Sequence, residues 1–193
     1  MAKNILFLTL KTFSATGGIE KVCRVAGKAM NEYTLDKQKT LHVYSMYDEK
    51  QTNTEPYFPV TIFKGFAGNK ISFVINAWKK GIKSRVVVIS HVNLLLPAYL
   101  IKLFSPKTKL VLIAHGIEVW QQPLSSFKQK MLQKADLILP VSHFTKERMK
   151  ALFHLPEKNF KVLNNCLDPF LPPPAHKNTR IEWRKKYSIG AND

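Results

Sequence analysis

Hydrophobic residues recur along this chain in two rhythms. Short unbroken apolar runs, of the kind that buried parallel strands show, alternate with segments whose apolar positions fall every three or four residues, as one helix face requires. Asn4–Leu10 is the first run, with Ile5 to Leu8 uninterrupted. A loop with Thr16, Gly17 and Gly18 follows. Then Ile19, Val22, Cys23, Ala26 and Met30 return at helical spacing, with Lys21, Arg24 and Lys28 on other faces. Thr40–Tyr47 and Val60–Lys64 read as strands, separated by a polar stretch with Pro56 and Pro59. Ile71–Lys80 reads as a helix, and Arg85–Ser90 as a buried strand built on Val86, Val87, Val88 and Ile89. Leu94–Phe104 is predicted helical, with Pro97 near its start, where a missing N–H costs least. Lys109–Ala114 is a strand, Ser126–Lys134 a helix and Leu137–Val141 a strand. Ser142 suits the N-cap of a helix running to about Phe153, and Phe160–Leu163 completes the series as a last strand.

Seven strands alternating with helices predict an α/β fold, a doubly wound, Rossmann-like and mostly parallel sheet with right-handed crossovers. Such sheets bind ligands beyond the carboxyl ends of their strands. Pro169, Pro172, Pro173 and Pro174 form a stiff connector. The chain therefore divides into a domain at 1–168 and a linker with a basic helical segment, Asn178–Tyr187, at 169–193. The closing Ser188-Ile189-Gly190-Ala191-Asn192-Asp193 has turn composition and reads as the approach to another strand, so the chain looks cut.

Charge sharpens this picture. The 193 residues carry 30 lysines and arginines against 13 aspartates and glutamates, a net +17. From Pro56 to Ala135 the only acid is Glu118, among twelve basic residues. A zone so free of acids implies one strongly positive face, for which an anionic membrane surface or a nucleic acid is an eligible partner and a merely solvated surface the plain alternative. Nucleic acid is the weaker of the two partners, because no RNA- or DNA-reading motif accompanies the charge. Within this zone Trp78, Lys79, Lys80, Lys83 and Arg85 set aromatic bulk beside cations, as a helix lying shallowly among anionic lipids does, unless the apolar residues only cover the sheet. No apolar run reaches the ~18 residues of a membrane-spanning helix. The N-terminus lacks a cleavage pattern, and Cys23 and Cys166 stand far apart without metal-like spacing. The expectation is a cytoplasmic protein, peripheral at the inner face of a membrane.

Chemistry-bearing residues gather at strand ends. Gly17 and Gly18 close the first strand-to-helix loop, where free helix amides can meet a phosphate; the plain alternative is that the glycines serve a tight turn alone. The motif is neither GxGxxG nor a P-loop, so an ordinary dinucleotide or ATP site is not supported. His115 and Gly116 follow the strand at Lys109–Ala114, in cleft position, with Glu118 and Trp120 close behind. Glu118 can accept a substrate hydroxyl or neutralise a lysine. His91 also ends a strand, among apolar neighbours.

Taken together, four segments resemble the N-terminal, acceptor-side domain of the family 4 retaining glycosyltransferases, which have the GT-B fold. They are Gly17-Gly18-Ile19-Glu20-Lys21-Val22, Ile113-Ala114-His115-Gly116-Ile117-Glu118, the stretch from Ala135 to Ser142 with Phe144 and Lys146, and the stretch from Lys161 to Asp168. Arg184-Lys185-Lys186-Tyr187-Ser188-Ile189 is similar to the segment just before the family's donor domain. The resemblance implies that Gly17 and Gly18 lie against the diphosphate of a nucleotide diphosphate-sugar, the donor substrate. It implies that His115 is the catalytic-site histidine that contacts the transferred sugar, with Glu118 and Ser142 lining the cleft, and His91, from its place at a strand end, is a further cleft candidate. It further implies transfer to a hydroxyl of a glycan or lipid-linked acceptor with retained configuration and no bound metal or other cofactor, in polysaccharide or lipopolysaccharide synthesis. Two departures stand out. Cys166 occupies a place where the family has glycine, so a left-handed turn there would be strained. The donor domain, with its paired glutamates, is absent from these residues, so this chain alone is expected to be inactive. The alternative is a non-catalytic basic module binding a membrane, a partner or nucleic acid.

Overall fold

The computed structural model describes residues 4–120, 125–171 and 177–189. Its centre is a six-stranded sheet, with every pairing parallel. The strands are β1 (Asn4–Thr9), β2 (Thr40–Ser45), β3 (Phe63–Gly65), β4 (Val86–Ile89), β5 (Lys109–Ala114) and β6 (Leu137–Pro140), in the order β3-β2-β1-β4-β5-β6. Crossovers run through α1 (Gly18–Asp36), α2 (Lys70–Gly81), α3 (Leu95–Phe104), and the short α4 (Ile117–Trp120) and α5 (Ser126–Leu132). Beyond the sheet lie α6 (His143–Phe153) and α7 (Lys177–Lys186).

Alternate residues of each strand enter different cores, as the two-residue pleat demands. On one face Phe7, Val43, Val88 and Ile113 pack with Cys23 of α1 and with Phe58. On the other, Leu6, Leu8, Val87, Ile89 and Leu112 pack beneath Phe73 and Ala77 of α2, Ile101 of α3, and Met149 and Phe153 of α6. The unbroken apolar runs follow from this: both faces of the inner strands are covered.

The sheet has one strand fewer than the rhythm of the chain predicts. Lys161 and Leu163 donate to the carbonyls of Ile138 and Pro140, yet only Phe160 forms a bridge, with Ile138. A parallel ladder needs return bonds from β6, and Pro140 has no N–H to give. The segment therefore runs alongside β6 without joining the sheet. Similarly, Val60–Ile62 forms a 3₁₀ turn and β3 begins only at Phe63. The helix expected from Leu94 is preceded by a 3₁₀ turn at Val92–Leu94. Three of the four connector prolines, Pro172 to Pro174, lie outside the described residues. Cys166 does not adopt positive φ, so the turn differs from one that would demand glycine.

Candidate functional site

In an open parallel sheet the crevice lies where the winding reverses, here between the carboxyl ends of β1 and β4. A cavity of about 220 Å³ opens there, lined by Leu10, Lys11, Ile19, Glu20, Tyr47, Ser90 and His91. It falls short of the roughly 300 Å³ at which small-molecule pockets begin. Residues that follow β1 and β4 wall it.

The loop from β1 to α1 forms one side of that wall, and the residues that shape it are not its own. Asp48, fully buried after β2, accepts from the backbone N–H of Thr12 at 2.7 Å, Phe13 at 3.1 Å and Ser14 at 2.6 Å. It also accepts from the Ser45 hydroxyl at 2.6 Å. Arg24, in the second turn of α1, donates to the Thr12 carbonyl at 2.7 Å. The loop's amides and carbonyls are thus engaged from behind. The first turn of α1 is different: Gly17 is its N-cap, and no side-chain hydrogen bond caps it. That leaves amides facing outward with the positive end of the helix dipole. Open space lies over Gly18, where a Cβ would meet nothing within 4 Å, whereas at Gly17 a Cβ would stand 2.4 Å from Glu20 Oε2. The Glu20 carboxylate therefore lies beside the N-cap of α1.

His115 and Glu118 stand at the carboxyl end of β5. Gly116 between them has φ +139°, and a Cβ there would lie 2.6 Å from the Trp120 ring, so only glycine lets the chain turn this closely into α4. Glu118 bends back so that Oε1 accepts the His115 backbone N–H at 2.5 Å. Its other oxygen, Oε2, is buried without a hydrogen-bond partner among the described residues, and so is His115 Nε2. The Ser90 backbone lies beside the ring and pulls its pKa upward. In the neutral form one ring nitrogen is an acceptor. Burial pushes the His115 pKa below its ordinary value, against the pull of Glu118, and so favours this neutral form. His91 is likewise held down by burial, and its Nδ1 accepts the Asn93 N–H at 3.0 Å. Orphaned acceptors of this kind, buried at a strand end, suit hydroxyl donors.

The structure brings Gly17, Gly18, His91, His115 and Glu118 to this one edge. Ser142 is at the same edge but is engaged as the N-cap of α6, its Oγ accepting the Thr145 N–H at 3.1 Å. Asp48, Arg24 and Lys11 had no signal in sequence spacing, since Asp48 acts on a loop some 35 residues away.

The sequence profile of glycosyltransferase family 4 matches residues 16–169, which is most of the chain. The chain belongs to glycosyltransferase family 4. Among solved structures, the family 4 chain is similar to Anabaena HepE in complex with UDP, at 15% identity and a TM-score of 0.66, covering 96% of this chain and 50% of that one. It also resembles the lipopolysaccharide outer core galactosyltransferase WaaB in its apo form, at 17% identity and a TM-score of 0.59, covering 85% and 46%. A glycosyltransferase from Rickettsia africae matches at 14% identity and a TM-score of 0.56, covering 97% and 50%. The family 4 chain spans about half the length of these structures. No curated protein matches it in sequence. The fold is that of a glycosyltransferase N-terminal domain, and none of its described helices is long and apolar enough to cross a membrane.

Proposed function

We propose that this chain is the acceptor-side half of an enzyme that moves a sugar from a nucleoside diphosphate-sugar to a hydroxyl of a glycan or lipid-linked acceptor. The configuration at the anomeric carbon is retained, and no metal is required. The acceptor is presented at the inner face of a membrane, in the synthesis of cell-envelope polysaccharide or lipopolysaccharide. Structures of HepE with UDP and with UDP-glucose, and the galactosyltransferase WaaB, support a nucleotide-sugar donor and a hexose.

The observation that carries the reading is the pair of unpartnered buried acceptors, His115 Nε2 and Glu118 Oε2, beside the crevice and the uncapped mouth of α1. In the transfer the bond from the anomeric carbon to the diphosphate oxygen breaks and a bond to the acceptor oxygen forms. The acceptor's hydroxyl proton leaves with the diphosphate. The α1 amides oppose the charge that grows on that diphosphate. Neutral His115 accepts a hydrogen bond from a hydroxyl of the transferred sugar and orients it, and Glu118 takes a second hydroxyl.

The test is transfer by the full-length enzyme from a panel of UDP-, GDP- and ADP-sugars, with EDTA present. Turnover that His115→Ala reduces by about a hundredfold is expected, the loss of an oriented hydrogen bond in a buried site. Full activity in that variant would overturn the assignment. Residues 1–193 alone are expected to turn over negligibly, because the glycosyltransferase structures they resemble are about twice as long.

A further inference from the structure

We infer that a cavity at the amino edge of the sheet is a second binding site, for a small phosphate monoester. The inference goes beyond the transfer reading and stands on different residues. The cavity, of about 300 Å³, is lined by Asn4, Ile5, Tyr33, Lys39, Arg85 and Val86. It reaches the size at which small-molecule pockets begin, which the crevice does not. Both lie at the ends of β1 and β4, the crevice past their carboxyl ends and this cavity at their first residues. The length of β1, Asn4–Thr9, holds them about 17 Å apart.

Ile5 and Val86 face each other across the paired strands and supply apolar surface. Every polar group left to a ligand is a donor. Asn4 Oδ1 already accepts from the Thr40 hydroxyl, which leaves its amide N–H groups. The Tyr33 hydroxyl accepts from Lys39 Nζ at 2.8 Å, which leaves its own O–H. The Arg85 guanidinium has no hydrogen bond or ion pair among the described residues. The Lys39 hydrogen bond, with the charges of Lys39, Lys37 and Arg85, holds the Tyr33 hydroxyl below its ordinary pKa, so these cations converge on one point. No described residue of the lining is an acid, and Glu32 and Asp36 of α1 are paired with Lys28 and Lys37. Arg85 is set here by its backbone N–H, which donates to the Asn4 carbonyl at the start of the β1–β4 pairing. It therefore stands apart from Trp78, Lys79 and Lys83 of the basic, aromatic group that the sequence suggests, and Lys80 lies near His42 of β2.

Two fixed positive charges match the near-dianion that a phosphate monoester is at neutral pH. Arg85 offers the planar fork that meets two phosphate oxygens, and Lys39 a point charge. The ester's organic part rests on Ile5, Val86 and the Tyr33 ring. A carboxylate would leave one cation unanswered, and a neutral sugar would find no acceptor for its hydroxyl protons.

Calorimetric titration of the 193-residue chain with phenyl phosphate tests this without any sugar transfer, so its failure leaves the transferase reading intact. Inorganic phosphate should bind about tenfold more weakly, because it has no ring to lay on Ile5 and Val86. Arg85→Ala and Lys39→Ala should each weaken phenyl phosphate about tenfold, the scale of one charge-assisted hydrogen bond. Neither side chain is in the core, so far-UV circular dichroism should stay unchanged. Lys79→Ala removes the same charge from α2, and Gly18→Asp sets a carboxylate at the mouth of α1; both should leave binding unaltered. Absence of binding below about 10 mM overturns the proposal. So does a loss in Lys79→Ala or Gly18→Asp as large as in Arg85→Ala, or inorganic phosphate binding as well as the ester.

Discussion

Two carboxylates on opposite edges of the sheet show how this fold separates support from chemistry. Asp136, at the amino edge just before β6, accepts from Lys102 at 2.7 Å, Lys109 at 2.9 Å and the Leu110 N–H at 2.9 Å. Burial pushes its carboxyl up, but those donors outweigh burial and hold it below the usual carboxylate range. Glu118, at the carboxyl edge, has one oxygen on the His115 N–H and the other buried with no partner among the described residues. Asp48 shares the carboxyl edge with Glu118 and behaves like Asp136, with both oxygens engaged, by three backbone N–H groups of the β1–α1 loop and the Ser45 hydroxyl of β2. Position at the edge therefore does not by itself set how a carboxylate is satisfied, and the acceptor left open on Glu118 is what the proposed sugar contact rests on.

Four measurements sharpen or break that comparison. Asp48→Ala should have the largest effect on stability, about 4 kcal/mol by urea unfolding, because it strands three backbone N–H groups in the β1–α1 loop. Next comes His115→Ala in the full-length enzyme, with transfer down about a hundredfold and the urea midpoint nearly unmoved. The reverse pattern, a stability loss with intact transfer per folded molecule, would place His115 with the supports. Asp136→Ala should cost about 2 kcal/mol, the scale of a charge-assisted backbone bond in a partly exposed setting, and leave transfer unaffected.

The smallest effect is on pH dependence. His91 and His115 are held below their ordinary value by burial, so the folded state binds fewer protons than the unfolded one once pH falls through about 6.5. Thermal midpoints should be flat between about pH 7 and 8 and decline below about 6.5. His115→Gln should make that decline shallower, and an unchanged slope would show that His115 is not buried in its neutral form.

Much of the fold was legible from local pattern. The strands at Asn4, Thr40, Val86, Lys109 and Leu137 announce themselves as apolar runs, and α1 and α2 as 3.6-residue stripes, because burial on a pleat or a helix face imposes its period on the sequence. The Ser142 cap was legible for the same reason, since an N-cap acts within three residues. Phe160–Leu163 misled because its own residues suit a strand, and the obstacle, Pro140, sits on the neighbour it would have paired with. The site divides along the same line. Gly17, Gly18, His91, His115 and Glu118 could be read from their places after apolar runs, while Asp48 and Arg24 could not, because a buried acid after β2 looks like any turn residue until the sheet order sets it behind the β1–α1 loop.

The sequence by itself determined the alternation of elements, the basic acid-free zone and the residues at strand ends, all of which depend on neighbours within about a turn or a strand. The tertiary structure alone decided that β1 and β4 are adjacent and open a crevice between them. It also decided that Phe104 of α3 meets Trp78 of α2, and that Glu118 Oε2 is buried without a partner among the described residues while both Asp136 oxygens are bonded. Those outcomes are contacts between residues distant in the chain, and only the order of strands in the sheet brings them within the 3 to 5 Å at which hydrogen bonds and packing act.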